Sequence, residues 1–219
     1  GISAKEAGLK LISMFPAVTQ PGVAAIGAGI ARAACEAATT YAAEKKVAGE
    51  RLIDQEWVQI VIADMYANAV AARTIYMEAA YAAGLRSMIR LLFDKVLFSL
   101  MLYTPAWMFT HLVSPLFDLE IVNHIYRKLN FEWTSHEDER HMSGLGSLSK
   151  FSCTDLAVEN CAKALDLMGA EGTRHDAGAE KLLRDAKLLQ IYEGTNEVNR
   201  INLFSQHIAH TMPGVRVFE

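Results

Sequence analysis

The chain has 219 residues, with 21 Lys plus Arg against 25 Asp plus Glu and a formal net charge of −4. That balance excludes a chain-wide nucleic-acid footprint, and no nucleic-acid partner is expected. A hydrophobic fraction of 52% with 21% charged residues excludes intrinsic disorder.

Only 5 prolines, in an alanine-rich sequence, favour long helices over a loop-rich or all-β design. Cys35, Cys153 and Cys161 are too few and scattered for a disulfide framework or a thiolate zinc site. The expected compartment is therefore reducing, the cytoplasm. The opening stretch, ISAKEAGLKL, lacks a basic segment followed by an apolar one, so no signal peptide is read there.

Thr19-Gln20-Pro21 predicts a helix start, with Pro placed where a missing N–H costs nothing. Val23, Ile26, Ile30, Ala34, Ala37 and Tyr41 then give helical periodicity up to a stop at Gly49. Gly27 falls on the same face, where it would admit a close neighbour. A second helix is predicted from about Asp54 to Gly84, and the two form an antiparallel hairpin.

Residues 85–134 differ in character. From Val96 to Phe117 there is no Asp, Glu, Lys or Arg, but Pro105 and Pro115 break the run into pieces too short to span a bilayer. Two or three short helical pieces are expected over Leu97–Phe117, anchored by Trp107 and Phe109. They would be buried against the bundle or a second subunit, with shallow membrane contact as the lesser reading.

Ser135-His136-Glu137-Asp138 has the form of a helix cap, and a further helix is predicted from Phe151 or Thr154 to Gly169. Ala179 to about Ile191 and Thr195 to Ile208 complete an all-α, up-and-down helical bundle with a hydrophobic insertion. No strand is expected, and no metal site. The two His of HEDERH (His136 to His141) miss the i, i+4 spacing of a zinc helix.

One stretch stands apart, Leu183 to Arg200. Glu193 sits on a short connection, after an apolar helix end and before a Gly and a capping Thr. Two readings of it are open. A carboxylate held there is a candidate general base. Alternatively it supports the next helix through its dipole.

RDAKLLQIYEGTNEVNR resembles the C-terminal motif of the acyl-CoA dehydrogenases, RDAK…IYEGTNEIQR. The stretch from Thr19 to Leu52 is similar to that family's first hairpin, and Ile62 to Met65 (IADM) to its L-A-(D/E)-M. The resemblance covers residues 8–84 and 147–211.

It implies an FAD-dependent enzyme that removes hydrogens across Cα–Cβ of an acyl-CoA thioester. Its partners would be the acyl-CoA substrate, an electron-transferring flavoprotein and further copies of itself. Carried over, Glu193 is the base that takes the α-proton. Tyr192 and Gly194 lie at the substrate, Thr195, Glu197, Lys45 and Gly169 match cofactor-binding positions, and Arg184 matches a motif arginine. Residues 1–20 correspond to the junction from a β-domain, and residues 21–219 to the C-terminal helical domain with its insertion at about 85–134. Such a chain alone is expected to be inactive, with FAD held only together with the family's other domains.

Four positions depart from the family pattern. The flavin-contacting R-x-x-F-G is Lys45 to Gly49, with Ala48 for Phe. Glu56 replaces a Gln, and Asp166 opens the segment matching Q-x-x-G-G-x-G, which in the family packs on the neighbouring subunit's FAD. Lys lacks the bidentate fork of Arg, and added acids repel a pyrophosphate. These departures favour a rival reading, a non-catalytic helical interaction module that docks a membrane or protein partner through its insertion.

Overall fold

The computed structural model describes residues 4–86, 135–212 and 214–216, with scattered positions between 95 and 124. Side chains of the first helix are described from Pro16 onward. Among the described residues, five long helices carry the fold: α1 (Ala4–Glu44), α2 (Glu56–Arg86), α3 (His136–Met168), α4 (Ala179–Leu189) and α5 (Asn196–His207). The expected all-α bundle is present.

Three boundaries differ from expectation. Helix α1 does not begin at Thr19; it runs through Pro16 and Pro21 back to Ala4. Tertiary packing overrides the break, because Ala17 and Gln20 are buried, and a Cβ on Gly146 of α3 would lie 3.1 Å from Ala17 Cα. Gly49 does not close α1 either. The helix ends at Glu44, and Lys46–Val47 pairs antiparallel with Glu50–Arg51. Ala48 (φ 53) and Gly49 (φ 92) make the two-residue turn, whose positive φ at both positions matches the strand twist. Finally, the helix expected from Phe151 begins at His136. Ser135 caps it, its Oγ accepting from Asp138 N at 3.1 Å as its sequence suggested.

Small residues set the spacing of the bundle. The core joins Ala31, Ala34, Ala38 and Ala42 of α1 to Val58 and Met65 of α2, and to Ala157, Cys161 and Ala164 of α3. This stripe is rotated from the expected one, so Ile26, at 52% exposure, points outward. Alanines let the backbones approach, and Gly27 does so furthest. A Cβ there would meet Cys153 O at 3.0 Å and Thr154 N at 3.3 Å. Any side chain at Gly27 would push α1 and α3 apart.

Asn160 ties the three long helices together. Fully buried, it donates through Nδ2 to Ala31 O (3.0 Å) on α1 and Met65 O (2.8 Å) on α2. Its Oδ1 accepts from Asn68 Nδ2 at 3.0 Å. The three cysteines are buried and unpaired, and burial pushes the Cys153 and Cys161 thiols up to about 12.

Much of the expected Leu97–Phe117 segment, Phe109 included, lies outside the described residues. Within it, Ala106–Met108 forms one helical turn, and Trp107 is 62% exposed. Trp107 therefore does not anchor the segment by burial in this chain. No helix among the described residues is long and apolar enough to cross a membrane. None of their His, Cys, Asp and Glu side chains cluster in threes as metal ligands would.

Candidate functional site

Helix α4 stops at Leu189, two residues before the expected end at Ile191, and the chain crosses to α5 over residues 190–195. Ile191 and Tyr192 face solvent here rather than closing an apolar helix end. Glu193 and Gly194 follow with φ of 56 and 83, two consecutive left-handed residues. Glycine takes that conformation freely, whereas a glutamate is held in it by its surroundings.

Those surroundings come from α1. Thr19 Oγ1 donates to Glu193 Oε2 at 2.8 Å, and Gln20 Nε2 donates to Glu193 O at 3.3 Å. Gln20 Nε2 also donates to Asn199 Oδ1 at 2.7 Å, which links α1 to α5 under the connection. Asn199 Nδ2 returns to Gly194 O at 2.9 Å and Thr195 O at 3.0 Å.

The cap of α5 is Thr195, whose Oγ1 accepts from Val198 N at 3.4 Å. The Glu193 carboxylate is not the cap of α5; it accepts from Thr19 on α1. A carboxylate that gives one oxygen to Thr19 keeps the other to accept a proton.

Beneath the connection lies a polar layer that the sequence did not single out. Lys150, Thr154, Asn196 and Asn199 are buried, and Lys150 has no exposed surface. Asp155 Oδ1 accepts from Gln190 Nε2 and Asn196 Nδ2, both at 2.7 Å, and its Oδ2 pairs with Arg200. Burial lowers the Lys150 pKa to about 8, against the pull of Asp155, Glu197 and Glu193. Glu197 is exposed in the first turn of α5, its carboxyl held below the usual range by its own backbone N–H and by Thr195. The signal for this layer was the run Gly144, Gly146, Ser147, Ser149, whose small side chains mark a helix surface that neighbours approach closely.

The other candidate residues gather elsewhere. Lys45 forms an ion pair with Glu171, just beyond Gly169 at the end of α3, and its ammonium sits 5.9 Å from the Tyr41 ring centre. Glu171 holds the Lys45 pKa above its ordinary value. Asp166 and Glu56 are exposed. Arg184 is exposed and bonded to Glu180 Oε1 at 2.6 Å, one turn away on its own helix. Along α1, Thr19 and the end near Lys45 are about 39 Å apart at 1.5 Å per residue. Glu193 and Lys45 thus mark opposite ends of one bundle.

The architecture is a helical bundle that presents one carboxylate on a left-handed turn between its last two helices. The sequence model of the family described as Acyl-CoA dehydrogenase, C-terminal domain matches residues 6–89 and 104–207, and the chain belongs to that family. The residues between the two matched stretches, 90–103, fall inside the segment expected as an insertion.

Among curated relatives, a probable acyl-CoA dehydrogenase (fadE25) of Mycobacterium leprae is 27% identical over 183 residues. That alignment takes in 84% of this chain and 34% of the relative, so the chain spans about a third of the relative's length. Among solved structures, butyryl-CoA dehydrogenase from Megasphaera elsdenii superposes with a TM-score of 0.62 at 22% identity, over 91% of this chain and 38% of that one. Nitroalkane oxidase from Podospora anserina gives 0.60 at 19% identity, over 91% and 35%. At these identities the two structures establish the fold.

Proposed function

We propose that this chain supplies the general base, Glu193, to an FAD-dependent acyl-CoA dehydrogenase. The observation that carries the reading is the Glu193 carboxylate, held off its own helix by Thr19 on a turn that only surrounding contacts sustain. In an acyl-CoA the thioester carbonyl acidifies the α-hydrogen, so a fixed carboxylate suffices as its acceptor. Glu193 would take that proton on the oxygen not bonded to Thr19. Tyr192, 37% exposed, and Gly194 would lie alongside the acyl chain. The flavin of the complete enzyme would supply the acceptor for the β-hydride.

At the Glu193 end, Thr195 and Glu197 at the start of α5 are exposed and would meet the flavin. At the far end the fit is poorer, because Lys45 already spends its charge on Glu171 and offers little to a pyrophosphate. The roughly 39 Å between the two ends favours an arrangement in which one copy's Glu193 and another copy's Lys45 and Gly169 would serve one cofactor. That arrangement requires assembly, and with it the chain alone would be inactive.

Trp57, Ile60, Val70, Met77 and Tyr81 on the outer side of α2 leave an apolar surface for it. Light scattering on the chain should report a dimer or larger, and a clean monomer at high concentration would contradict it. The acceptor of the enzyme's electrons would be an electron-transferring flavoprotein.

The Lys45–Glu171 pair favours a second reading, a non-catalytic module on the same scaffold. A visible absorbance spectrum of the complete protein separates the two. Flavin bands that bleach on anaerobic addition of an acyl-CoA support the enzyme; a colourless protein supports the module.

A further inference from the structure

The buried cation beneath the connection has no part in the chemistry just described. Lys150 lies on α3, and its ammonium donates to Gln190 O at 3.1 Å, Gly194 O at 2.6 Å and Asn196 Oδ1 at 2.8 Å. A lysine ammonium has three protons and no acceptor, so this cage uses it completely. All three acceptors belong to residues 190–196, the stretch that carries Glu193.

A charge taken out of water is costly, and an apolar residue of similar length would fill the same volume more cheaply. Packing alone does not account for a lysine here. Its carbonyl partners bracket Glu193, one at Gln190 and one at Gly194, and the left-handed pair 193–194 lies between or at those anchors. Asn199 shares Gly194 O with Lys150, and Gln20 holds Glu193 O from the α1 side.

We propose that Lys150 is the positioning residue for Glu193, an ammonium that pins the backbone on both sides of the turn and so aims the carboxylate at Thr19. Its consequence for turnover rests on Glu193 being the base; its effect on the turn does not. The charged groups around it are Asp155 on its own helix, Glu193 on the connection and Glu197 at the start of α5, with Arg200 held on Asp155. No charged side chain reaches it from the described part of α1, which contributes Thr19 and Gln20 at this site. With the pKa lowered to about 8, the cage holds a full cation at neutral pH. Above that pH the amine has two protons for three acceptors.

The test compares Lys150→Met and Lys150→Arg with Glu193→Gln in the complete enzyme. Lys150→Met should lower kcat roughly 100-fold while KM moves less than about threefold, as expected for a base displaced on the scale of an ångström. Lys150→Arg should restore a large part of that loss and abolish any fall in kcat above pH about 8. In the 219-residue chain, Lys150→Met should speed amide exchange at 191–195 by roughly tenfold or more, with the α1–α3 core unchanged.

Should Lys150→Met fail to fold, the parent chain still decides. A 15N resonance for the Lys150 ammonium, coupled across hydrogen bonds to the Gln190 and Gly194 carbonyl carbons, supports the cage; an ammonium exchanging like an exposed lysine overturns it. Where Glu193→Gln abolishes turnover, a kcat within twofold of the parent in Lys150→Met also overturns the proposal. If Glu193→Gln keeps its turnover while the exchange and nitrogen results hold, the base reading fails and Lys150 stands as the pin of the turn alone.

Discussion

Glu193→Gln in the complete enzyme should abolish turnover by several powers of ten while acyl-CoA binding stays within a few-fold. The substitution keeps the shape of the side chain, and its carbonyl oxygen can still accept the Thr19 hydroxyl that Glu193 Oε2 accepts at 2.8 Å. The turn at φ 56 and 83 is held from outside the side chain, by Lys150, Asn199 and Gln20 on the backbone carbonyls. What disappears is the ability to take a proton, because an amide is not a base at neutral pH. General-base catalysis accounts for about 100- to 10,000-fold in most enzymes, and more where no water can substitute. Steady-state turnover together with acyl-CoA titration measures both halves. Near-normal turnover in the variant would remove Glu193 from the mechanism.

The features legible in the sequence were those whose physics is local. Ser135 and Thr195 cap their helices because a hydroxyl accepting an orphan amide needs only three consecutive residues downstream. Gly27 announced a close crossing by being a glycine on an apolar face, and α3 backbone stands where its side chain would be.

The start of α1 departs from its local signal for the opposite reason. Pro16 and Pro21 break a helix locally, and packing against α3, as of Ala17 and Gln20 against Gly146, carries α1 through them. The same glycines hid the first half of α3. Gly144, Gly146 and Ser147 look like a loop by propensity and are a helix because α1 and α5 press against them.

The candidate base was visible in the sequence, while its supports were not. A lysine, an asparagine and a glutamine look solvated in a sequence, and burial is decided by which helix face the bundle closes. Lys150 and Asn160 both lie among small residues on α3, the arrangement that lets a polar side chain reach a neighbouring backbone.

Asn160→Ala should be among the most destabilising single changes in the chain, at about 2–4 kcal/mol. Removing the amide leaves Ala31 O and Met65 O without their second donor and Asn68 with Glu159 Oε1 alone as acceptor, and opens a void where α1, α2 and α3 meet. The loss should reach the candidate site as well, since α1 brings Thr19 and Gln20 to Glu193.

Asn160→Asp sharpens the test through its pH dependence. A carboxyl placed there would turn one oxygen to two carbonyl oxygens, keep the Asn68 amide on the other and have Lys163 already paired to Glu159, so burial and repulsion would raise its folded-state pKa above the unfolded value of about 3.9. A raised carboxyl pKa contributes stability below the unfolded value and loses it as pH rises through the folded one. The aspartate variant should therefore be closest to the parent near pH 4 and fall steadily behind it towards pH 7. Urea denaturation across that range reads the difference directly. Parallel pH profiles for parent and variant would mean that the amide of Asn160 does not hold the three helices together.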